Sequence, residues 1–335
     1  QRLDLMTTPD HKHWVRTQKI NKYSLRSSSD IFGKNVLHKK TGIWMAPDIE
    51  TITIPGIESR AYKGRHKYLE PITFGMDDFI EFFGYWVTEG SAKNGGYVCI
   101  SQYKNVNPDI YEKIDQVLKR LGIPYSKDAK RFSIFDHRLS AWLSRLGKAH
   151  EKWIPQEIMS ASSRQLNILL EACVDGDGCV WTGPKNTSEN VELSTSSKRL
   201  ADSYQELALK AGFCASVKLG KKSGEGWCKH NSYKVRLSRN GETYSSPKEA
   251  RYGAREAWVD YIGMVYCVEV KNHVIYVRRN GVPVWSGNSI VTKIIPDHEM
   301  PQTKSGEATE VLFNPFGVPG RVNPAQILEA ASAKI

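Results

Sequence analysis

The sequence predicts an α+β fold with more than one domain, and three observations support that prediction. A pattern of helix, strand and helix occurs twice, and a later segment alternates apolar and polar residues as β-strands do. The chain has 335 residues, of which 40% are hydrophobic, and this is enough for two or three domains. No segment approaches the ~18 consecutive apolar residues of a membrane span, so we expect no membrane partner.

The N-terminus and the cysteines indicate the setting of the chain. The run QRLDLMTTPD has neither an initiator Met nor the apolar core of a signal peptide, so we expect a fragment of a longer reading frame. The six cysteines form no CxxC pair, which argues against a structural zinc site. We therefore expect a reduced, cytoplasmic protein.

Basic residues outnumber acidic residues, but unevenly along the chain. The 47 Lys and Arg against 36 Asp and Glu give a formal net charge of +11. Residues 1–69 carry +7 (13 basic, 6 acidic), residues 70–288 carry +5 (30 basic, 25 acidic) and residues 289–335 carry −1 (4 basic, 5 acidic). Such a basic body is typical of a protein that binds a polyanion, most simply nucleic acid. On charge alone, a soluble basic protein without such a partner fits equally well.

An internal repeat is marked by two amphipathic segments whose apolar positions are offset by 90 residues. NPDIYEKIDQVLKRLG from Asn107 and SKRLADSYQELALKAG from Ser197 share one buried helical stripe and end in Gly. The paired positions are Ile110/Leu200, Ile114/Tyr204, Val117/Leu207, Leu118/Ala208, Leu121/Ala211 and Gly122/Gly212. Asn107 and Ser197 are good N-cap residues, and each Gly suits a left-handed C-terminal cap. We therefore predict two helices, each after a short strand at 97–101 or 191–195.

A second pair of predicted helices lies upstream of these strands, and each ends in an acidic residue followed by Gly. The two segments are Asp78–Gly90 and Ser163–Gly178, with Glu89 and Asp177 at equivalent places. A carboxylate is mildly unfavourable at the negative end of a helix. Its presence at this place in both copies therefore indicates a functional reason.

Small residues one to two turns before these acids, Gly84 and Ala172, allow the two helices to pack closely. Close packing brings Glu89 and Asp177 side by side, where like charges repel unless a cation neutralises them. Paired carboxylates on a basic protein indicate a divalent metal and phosphodiester chemistry. The alternative is two surface acids beside turn glycines, and we favour the site because the pair is repeated.

The two acid-ending segments resemble the LAGLIDADG motifs of homing endonucleases. Phe82–Gly90 reads FFGYWVTEG and Leu170–Gly178 reads LEACVDGDG, and the second copy matches the acidic half of the motif better. The resemblance implies an endonuclease that is monomeric as an internal pseudo-dimer and that lays the four-stranded sheets of its two repeats on double-stranded DNA. It also implies that Glu89, in place of the usual Asp, and Asp177 hold Mg²⁺ or Mn²⁺ and activate water for a staggered cut. Lys152, in KWIP, resembles a further family motif, but we expect an exposed lysine without a catalytic role.

The flanking segments resemble the splicing blocks of inteins. Thr8–His11 (TPDH) is similar to the TxxH block, in which the His polarises the upstream scissile amide. Gly263–Ser289, GMVYCVEVKNHVIYVRRNGVPVWSGNS, is similar to the final blocks, with strands around an Asn280–Gly281 hairpin turn. The resemblance implies that Asn288 cyclises to a succinimide and cleaves the chain. It also implies that Ser289 is the acceptor for the upstream acyl group, with no cofactor.

Three departures from the intein pattern bear on this chemistry. Gly287 stands where a penultimate His is usual, so another group must assist Asn288, and His273 is the nearest candidate. Cys267 occupies a position that is often Asp, where it is either a reactive thiol or a small buried hydrophobe. The block with the first splice residue does not occur in the sequence, so we expect that this chain does not perform the first acyl shift alone.

The last segment resembles the β subunit of cellular RNA polymerase or its phage-encoded relatives, most specifically in Asn314–Leu328, NPFGVPGRVNPAQIL. A piece of ~47 residues is too short to form its own core. We expect it to join other polymerase subunits after splicing, without polymerase activity here. The implied domains are a β-rich, horseshoe-shaped Hint splicing domain from 1–70 and 241–288, an inserted endonuclease at 71–240 with repeats at about 77–150 and 151–240, and a C-terminal extein at 289–335.

Two functions stay open at this point. The first is an intein with an active, Mg²⁺-dependent homing endonuclease that cuts the uninterrupted host gene. The second is a splicing element whose endonuclease has decayed into a DNA-binding or structural insert, which the imperfect first motif favours. A standalone regulatory DNA-binding protein does not explain the Asn288–Ser289 boundary or the polymerase-like tail. Both open functions place the protein in the cytoplasm of a bacterial or phage-infected cell, near the nucleoid.

Overall fold

The computed structural model describes residues 3–60, 66–93, 96–182, 189–225, 229–239, 241–245, 256–261 and 270–287. The chain divides into two units. The first comprises Gln1–Lys39, Glu242–Arg279 and Pro283–Ile335, and the second comprises Lys40–Gly241 with Asn280–Val282. Because the second unit is almost one continuous segment between two parts of the first, the chain has the organisation of a domain with a second domain inserted into it.

The regular elements are numbered in chain order. The strands are β1 Lys12–Arg16, β2 Ser24–Ser27, β3 Val36–Lys39, β4 Thr51–Ile54, β5 Ile57–Arg60, β6 His66–Leu69, β7 Ile72–Gly75, β8 Gly90–Ala92, β9 Val98–Ser101, β10 Tyr125–Lys127, β11 Arg131–Ile134, β12 Gly178–Thr182, β13 Glu189–Thr195, β14 Cys214–Leu219, β15 Tyr233–Ser238, β16 Glu242–Ser245, β17 Val274–Arg279 and β18 Val282–Gly287. The helices are α1 Ser28–Ile31, α2 Met76–Glu89, α3 Pro108–Leu121, α4 His137–Ser144, α5 Gln156–Met159, α6 Ser163–Asp177 and α7 Lys198–Lys210.

The described strands of the first unit form a sheet in the order β16-β3-β1-β18-β17, with β2 also paired to β1. β1 is antiparallel to β18, with His13 opposite Ser286, and antiparallel to β3, with Val15 opposite His38. Strands from the two segments that flank the second unit therefore lie in one sheet, because the residues between them fold separately.

The second unit contains two copies of one arrangement of helices and strands. α2 leads into the sheet β10-β11-β9-β8, and α6 leads into the sheet β12-β13-β15-β14. In each copy the Gly after the acidic residue opens a strand, so that Gly90 pairs with Ile100 and Gly178 pairs with Leu193. α3 and α7 then connect the second and third strands of their copies. This order reproduces the repeat that the sequence predicts.

α2 is buried over most of its surface because it packs against α6, α3 and the strands of its own repeat. Phe79, Phe82, Phe83 and Trp86 are all fully buried. A helix that is apolar on nearly all sides belongs in the centre of a domain. Within the described residues, no helix is both long enough and apolar enough to cross a membrane.

The ends of the two repeated helices follow the predicted caps with one exception. The Ser197 side chain accepts a hydrogen bond from a backbone N–H in the first turn of α7. Asn107, the predicted cap of α3, makes no such bond, and its side-chain amide donates to Gln102 at 3.3 Å instead. Gly122 and Gly212 have φ of 65° and 91°, the left-handed conformation that ends each helix.

The second unit extends further toward the N-terminus than the boundary predicted after residue 70. It takes in residues 40–70, where side-chain and backbone groups form hydrogen bonds to α6 and to the turn before it. The Trp44 indole N–H donates to the Ala161 carbonyl oxygen at 2.8 Å. The Gln165 side chain accepts from the Ile49 N–H at 2.9 Å and donates to the Ile49 carbonyl oxygen at 2.7 Å.

Candidate functional site

α2 and α6 approach each other so closely at Gly84 that a side chain there has no room. A Cβ on Gly84 would lie 2.5 Å from the Ala172 Cβ and 3.1 Å from the Leu169 carbonyl oxygen. Nearer the C-terminal ends, a Cβ on Gly176 would overlap the Thr88 hydroxyl in the same way. Close-packed interiors do not hold carbon atoms at such separations, so the missing side chains set the distance between the helices.

Glu89 ends α2 and Asp177 ends α6, so the close packing of the helices brings their carboxyl groups near each other. Burial raises the pKa of Glu89 above its ordinary value, and the Asp177 carboxylate raises it further. Asp177 is exposed over part of its surface, yet desolvation of its carboxyl group raises its pKa as well. Two carboxyl groups with raised pKa values at one place favour a bound proton or a bound cation.

Lys152 lies beside the two carboxyl groups, and the prediction that it is exposed was wrong. The residue is only 3% exposed. Its ammonium group donates to the carbonyl oxygens of Trp86 at 3.0 Å, Val87 at 2.9 Å and Gly90 at 2.7 Å. It also lies 4.6 Å from the centroid of the Trp86 ring. The physical reason for its burial is that carbonyl oxygens of the last turn of α2 and of Gly90 converge there and match its three N–H donors.

The buried ammonium group changes the electrostatics of the site. Burial lowers the pKa of Lys152 to about 8, while the Asp177 and Glu89 carboxylates act in the opposite direction. In return, Lys152 lowers the pKa values of both acids and so offsets part of their burial. A cation at the C-terminal end of α2 also interacts favourably with the helix dipole. In the sequence, the signal for burial of Lys152 is its position directly before the apolar run Trp153–Pro155.

In the part of the chain that the structure describes, no group of three or more His, Cys, Asp and Glu side chains could hold a metal ion. The carboxylates at this site are those of Glu89 and Asp177. Mg²⁺ is usually held by one or two carboxylates, with waters and substrate phosphate oxygens in the other positions. The donor set fits such an ion, and it does not resemble the four-ligand set of structural zinc.

The sheet of the second repeat turns a charged face away from its helices. Along β15, Val235 and Leu237 are buried while Lys234 and Arg236 are exposed. Both cations bond to Glu192 on the neighbouring strand β13, at 2.7 Å and 3.1 Å. The shared carboxylate holds two basic groups in fixed positions on an open surface, which suits a polyanion.

A histidine cluster in the first unit joins residues from the two segments that flank the second unit in sequence. His11 Nε2 and Ser286 Oγ are hydrogen bonded at 2.8 Å, although they are 275 residues apart in sequence. His13 Nε2 is hydrogen bonded to Ser28 Oγ at 2.9 Å, and its ring meets the His38 ring edge-on at 5.8 Å. Burial lowers the pKa of His11, and it lowers the pKa of His38 to about 4. These imidazoles are therefore neutral at pH 7.

The structure brings together only some of the residues that the sequence proposed for splicing. Thr8 contacts His11 through the backbone, with the His11 N–H donating to the Thr8 carbonyl oxygen at 3.2 Å. His273 lies in the turn before β17 with φ of 53°, and its buried Nδ1 has no partner in the described residues. No hydrogen bond among those residues links it to Ser286. Asn288, Ser289 and Cys267 lie outside the described residues.

Sequence reasoning missed the serines and two of the histidines in this cluster. A detectable signal was the alternation in His11-Lys12-His13 at the start of β1, where the two imidazole rings lie 5.1 Å apart. Ser286 carried no signal of its own, because serine near a strand end is common. Its pairing with His11 depends on the register between β1 and β18.

Two family models match separate parts of the chain. Residues 165–245 match the model described as a LAGLIDADG-like domain. Residues 287–335 match the model described as RNA polymerase Rpb2, domain 6. Residues 165–245 are therefore similar to a LAGLIDADG-like domain and residues 287–335 are similar to a domain of RNA polymerase, and both resemblances are confirmed at this level.

Several curated proteins are similar to longer parts of the chain. It is 25% identical over 338 residues to a DNA-directed RNA polymerase subunit beta C-terminal section of Stigeoclonium helveticum, covering 86% of this chain and 31% of that protein. It is 28% identical over 234 residues to an ATP-dependent Clp protease proteolytic subunit of Chlamydomonas moewusii, covering 65% and 22%. It is 32% identical over 105 residues to a replicative DNA helicase DnaB of a Nostoc species, covering 30% and 12%. The chain thus spans about a third or less of the length of these relatives.

Among solved structures, a crystal structure of I-DmoI in complex with DNA and Mn is 10% identical to this chain, with a TM-score of 0.33. That match covers 49% of this chain and 90% of the other.

Proposed function

We propose that the second unit is a site-specific endonuclease that makes metal-dependent double-strand cuts in DNA. The observation that carries the proposal is the pair of Glu89 and Asp177, at equivalent ends of two close-packed helices and beside the buried Lys152. Two structural repeats that each supply one acid suit a substrate with two strands. The match of residues 165–245 to a LAGLIDADG-like domain supports this function.

Glu89 and Asp177 would hold the divalent ion, Mg²⁺ or Mn²⁺. When bound, the ion would stabilise negative charge on the scissile phosphate and lower the pKa of a water molecule. The contribution of the protein is the separation of the two carboxylates. The close contact of α2 with α6 at Gly84 sets that separation. Lys152 lowers the pKa values of both acids, so that they ionise and bind a cation more readily. Since all three ammonium protons are donated to carbonyl oxygens, Lys152 is a positioning residue in this scheme.

Double-stranded DNA would lie on the sheet faces of the two repeats. Lys234 and Arg236 on β15 supply cations there. Contacts between such side chains and phosphates release counterions, so binding should weaken steeply as salt is raised. The same sheet could bind DNA without cutting it, which is the decayed-endonuclease alternative.

The test uses a plasmid with the uninterrupted polymerase gene across the insertion point, at low salt and with Mg²⁺. Glu89→Gln and Asp177→Asn should each abolish the cut while leaving DNA binding intact. Glu171→Gln, a neutralised acid on the exposed side of α6, is the matched control and should cut at the wild-type rate. Normal cutting by both site variants would overturn the metal site. Site-preferring binding by a wild-type protein that never cuts would establish the decayed alternative.

A second function, protein splicing by the first unit, is favoured by different observations. His11 is hydrogen bonded to Ser286, which precedes Asn288 by two residues. The match to the polymerase family begins at residue 287, next to the proposed splice junction. The relatives are named as a polymerase subunit, a protease subunit and a helicase, which favours an insert shared among unrelated hosts.

In the proposed C-terminal reaction, the side-chain nitrogen of Asn288 attacks its own backbone carbonyl carbon. The peptide bond to Ser289 breaks, and the released amino group of Ser289 gains a proton. Residue 288 is left as a succinimide, and the Ser289 hydroxyl serves as acceptor for the upstream acyl group. Splicing would then attach the polymerase-like segment to its host subunit.

Mass spectrometry of the incubated chain tests this reaction. The wild type should release a fragment of residues 289–335, and Asn288→Ala should not. Asn107→Ala, which removes a side-chain amide far from the junction in sequence, should behave as the wild type. Release of the same fragment by Asn288→Ala would overturn the proposed reaction.

A further inference from the structure

The sheets of the two repeats can be compared residue by residue, because their strands pair in equivalent registers. Gly90 pairs with Ile100 in the first sheet, and Gly178 pairs with Leu193 in the second. Ile100 and Leu193 are fully buried against the helices of their repeats. Neighbouring residues on these strands therefore point to the opposite surface of each sheet, which we call the outer face.

A row of four paired residues crosses the outer face of each sheet, close to the acid that ends α2 or α6. The rows start two residues after Glu89 and two residues after Asp177. In pairing order they are Ser91, Cys99, Ser133 and Ser126 in the first sheet, and Cys179, Glu192, Arg236 and Ser216 in the second. The two middle positions differ, because a thiol and a hydroxyl in the first repeat correspond to an ion pair in the second.

The next row on each outer face is nearly the same in both repeats. Ser101 pairs with Arg131 in the first sheet, and Ser194 pairs with Lys234 in the second. The Arg131 and Lys234 side chains are 55% and 54% exposed. DNA phosphates are alike at every base pair, whereas the base edges differ. A cation at equivalent places in both repeats therefore suits phosphate contact, and the row that differs between the repeats suits contact with bases.

Arg236 is held by Glu192 and remains open to a ligand. Its guanidinium donates to the Glu192 carboxylate at 3.1 Å, although its side chain is still 55% exposed. Glu192 is itself 12% exposed, and the hydrogen bond from Lys234 lowers its pKa, with a further contribution from Arg236. The carboxylate therefore stays ionised and keeps the guanidinium oriented. An oriented guanidinium matches the O6 and N7 acceptors of guanine, which face the major groove.

We propose that Arg236, oriented by Glu192, recognises a guanine in the half of the DNA target that lies on the second repeat. The inference rests on the proposed function, because it takes double-stranded DNA as the ligand of both outer faces. Cys99 and Ser133 offer no charged fork at the equivalent place, so the matching position in the other half should discriminate bases weakly. A repeated fold thus recognises an asymmetric sequence. Arg236 is a specificity-determining residue, and Glu192 is a positioning residue that acts through it.

The test measures binding of the full chain to duplexes with the uninterrupted gene sequence across the insertion point, without divalent metal, so that no duplex is cut. Each base pair is replaced in turn by the other three, and relative affinities follow from competition. The wild type should prefer guanine by about tenfold at one position of one half, and Arg236→Gln should remove that preference alone. Arg199→Gln is the matched control, because Arg199 is exposed on α7, the helix on the buried face of the same sheet. It should leave every preference unchanged.

Three further variants separate base recognition from other effects. Arg131→Gln should weaken binding to all duplexes alike and reduce the salt dependence by about one phosphate contact. Glu192→Gln should lower only the guanine preference, since it leaves the guanidinium in place but less firmly oriented. Cys99→Glu with Ser133→Arg transfers the ion pair to the first sheet, where it should create a guanine preference in the other half.

The results distinguish this inference from the function on which it rests. Uniform weakening by Arg236→Gln would identify a phosphate contact and overturn the assignment, and so would an unchanged guanine preference. Equal discrimination in the two halves would overturn the asymmetry. A wild type that shows the preference but never cuts would refute the endonuclease and leave the recognition of guanine intact. A wild type that cuts the target, with no preference that depends on Arg236, would do the reverse.

Discussion

Gly84 of α2 faces the methyl group of Ala172 on α6, and a Cβ added at Gly84 would lie 2.5 Å from that methyl carbon. This contact fixes the separation of the two helices that end in Glu89 and Asp177. The distance between the carboxylates is thus decided one to two turns away from them, by the absence of a side chain.

The Gly84 contact gives the first prediction. Gly84→Ala should destabilise the chain by about 1–3 kcal/mol, the usual cost of overpacking, and reduce DNA cutting more than DNA binding. Urea unfolding and cleavage assays measure the two effects. The double variant Gly84→Ala with Ala172→Gly should recover part of both, since it removes the methyl group opposite. A single variant as stable as the wild type would show that the helices can separate without cost.

Lys152 gives the second prediction. Lys152→Met keeps the length of the side chain but removes the ammonium donor from the carbonyl oxygens of Trp86, Val87 and Gly90. We expect a loss of about 2 kcal/mol in the free energy of unfolding. Leaving buried acceptors without a donor costs more than is gained by removing a buried charge. Urea unfolding at pH 7 measures it, with the exposed Lys148→Met as control. Equal stability of the two variants would mean that the carbonyl oxygens find other donors.

His38 gives a prediction about pH. In the unfolded chain His13 and His38 take up protons near pH 6.5, but burial lowers the pKa of His13 to about 3 and that of His38 to about 4 in the fold. Between about pH 6.5 and 4 the unfolded state therefore binds more protons, so the first unit should lose stability as pH falls through this window. Hydrogen exchange in β1 and β3 measures that loss.

His38→Gln removes one of the two titrating groups, so the pH dependence of exchange in β1 and β3 should become shallower. His137→Gln, a substitution in the second unit, should leave that dependence unchanged. Identical pH profiles for His38→Gln and the wild type would show that His38 is not the buried base responsible.

Much of the fold follows from local patterns that the sequence contains. Helix periodicity located α3 and α7, because one buried stripe needs apolar residues every three to four positions. The Asn280–Gly281 turn was predictable because few residue pairs accept two positive φ angles. The predicted Asn107 cap was wrong: its side chain makes no capping hydrogen bond to α3, and its amide nitrogen donates to Gln102.

The candidate site was predictable only in part. The repeat placed Glu89 and Asp177 at equivalent helix ends. Lys152 was misjudged because a lysine is usually exposed, and only the folded chain shows that three carbonyl oxygens lie where its ammonium group can reach them.

The sequence by itself determined the two repeats, the acids at their helix ends and the Asn-Gly turn, since each depends on residues within a few positions of one another. Only the tertiary structure decided that His11 meets Ser286, that Lys152 is buried beside the acids, and that Glu192 holds Arg236. These contacts join residues that are far apart along the chain. Their formation depends on strand register and helix packing, which arise from the summed burial of the whole core.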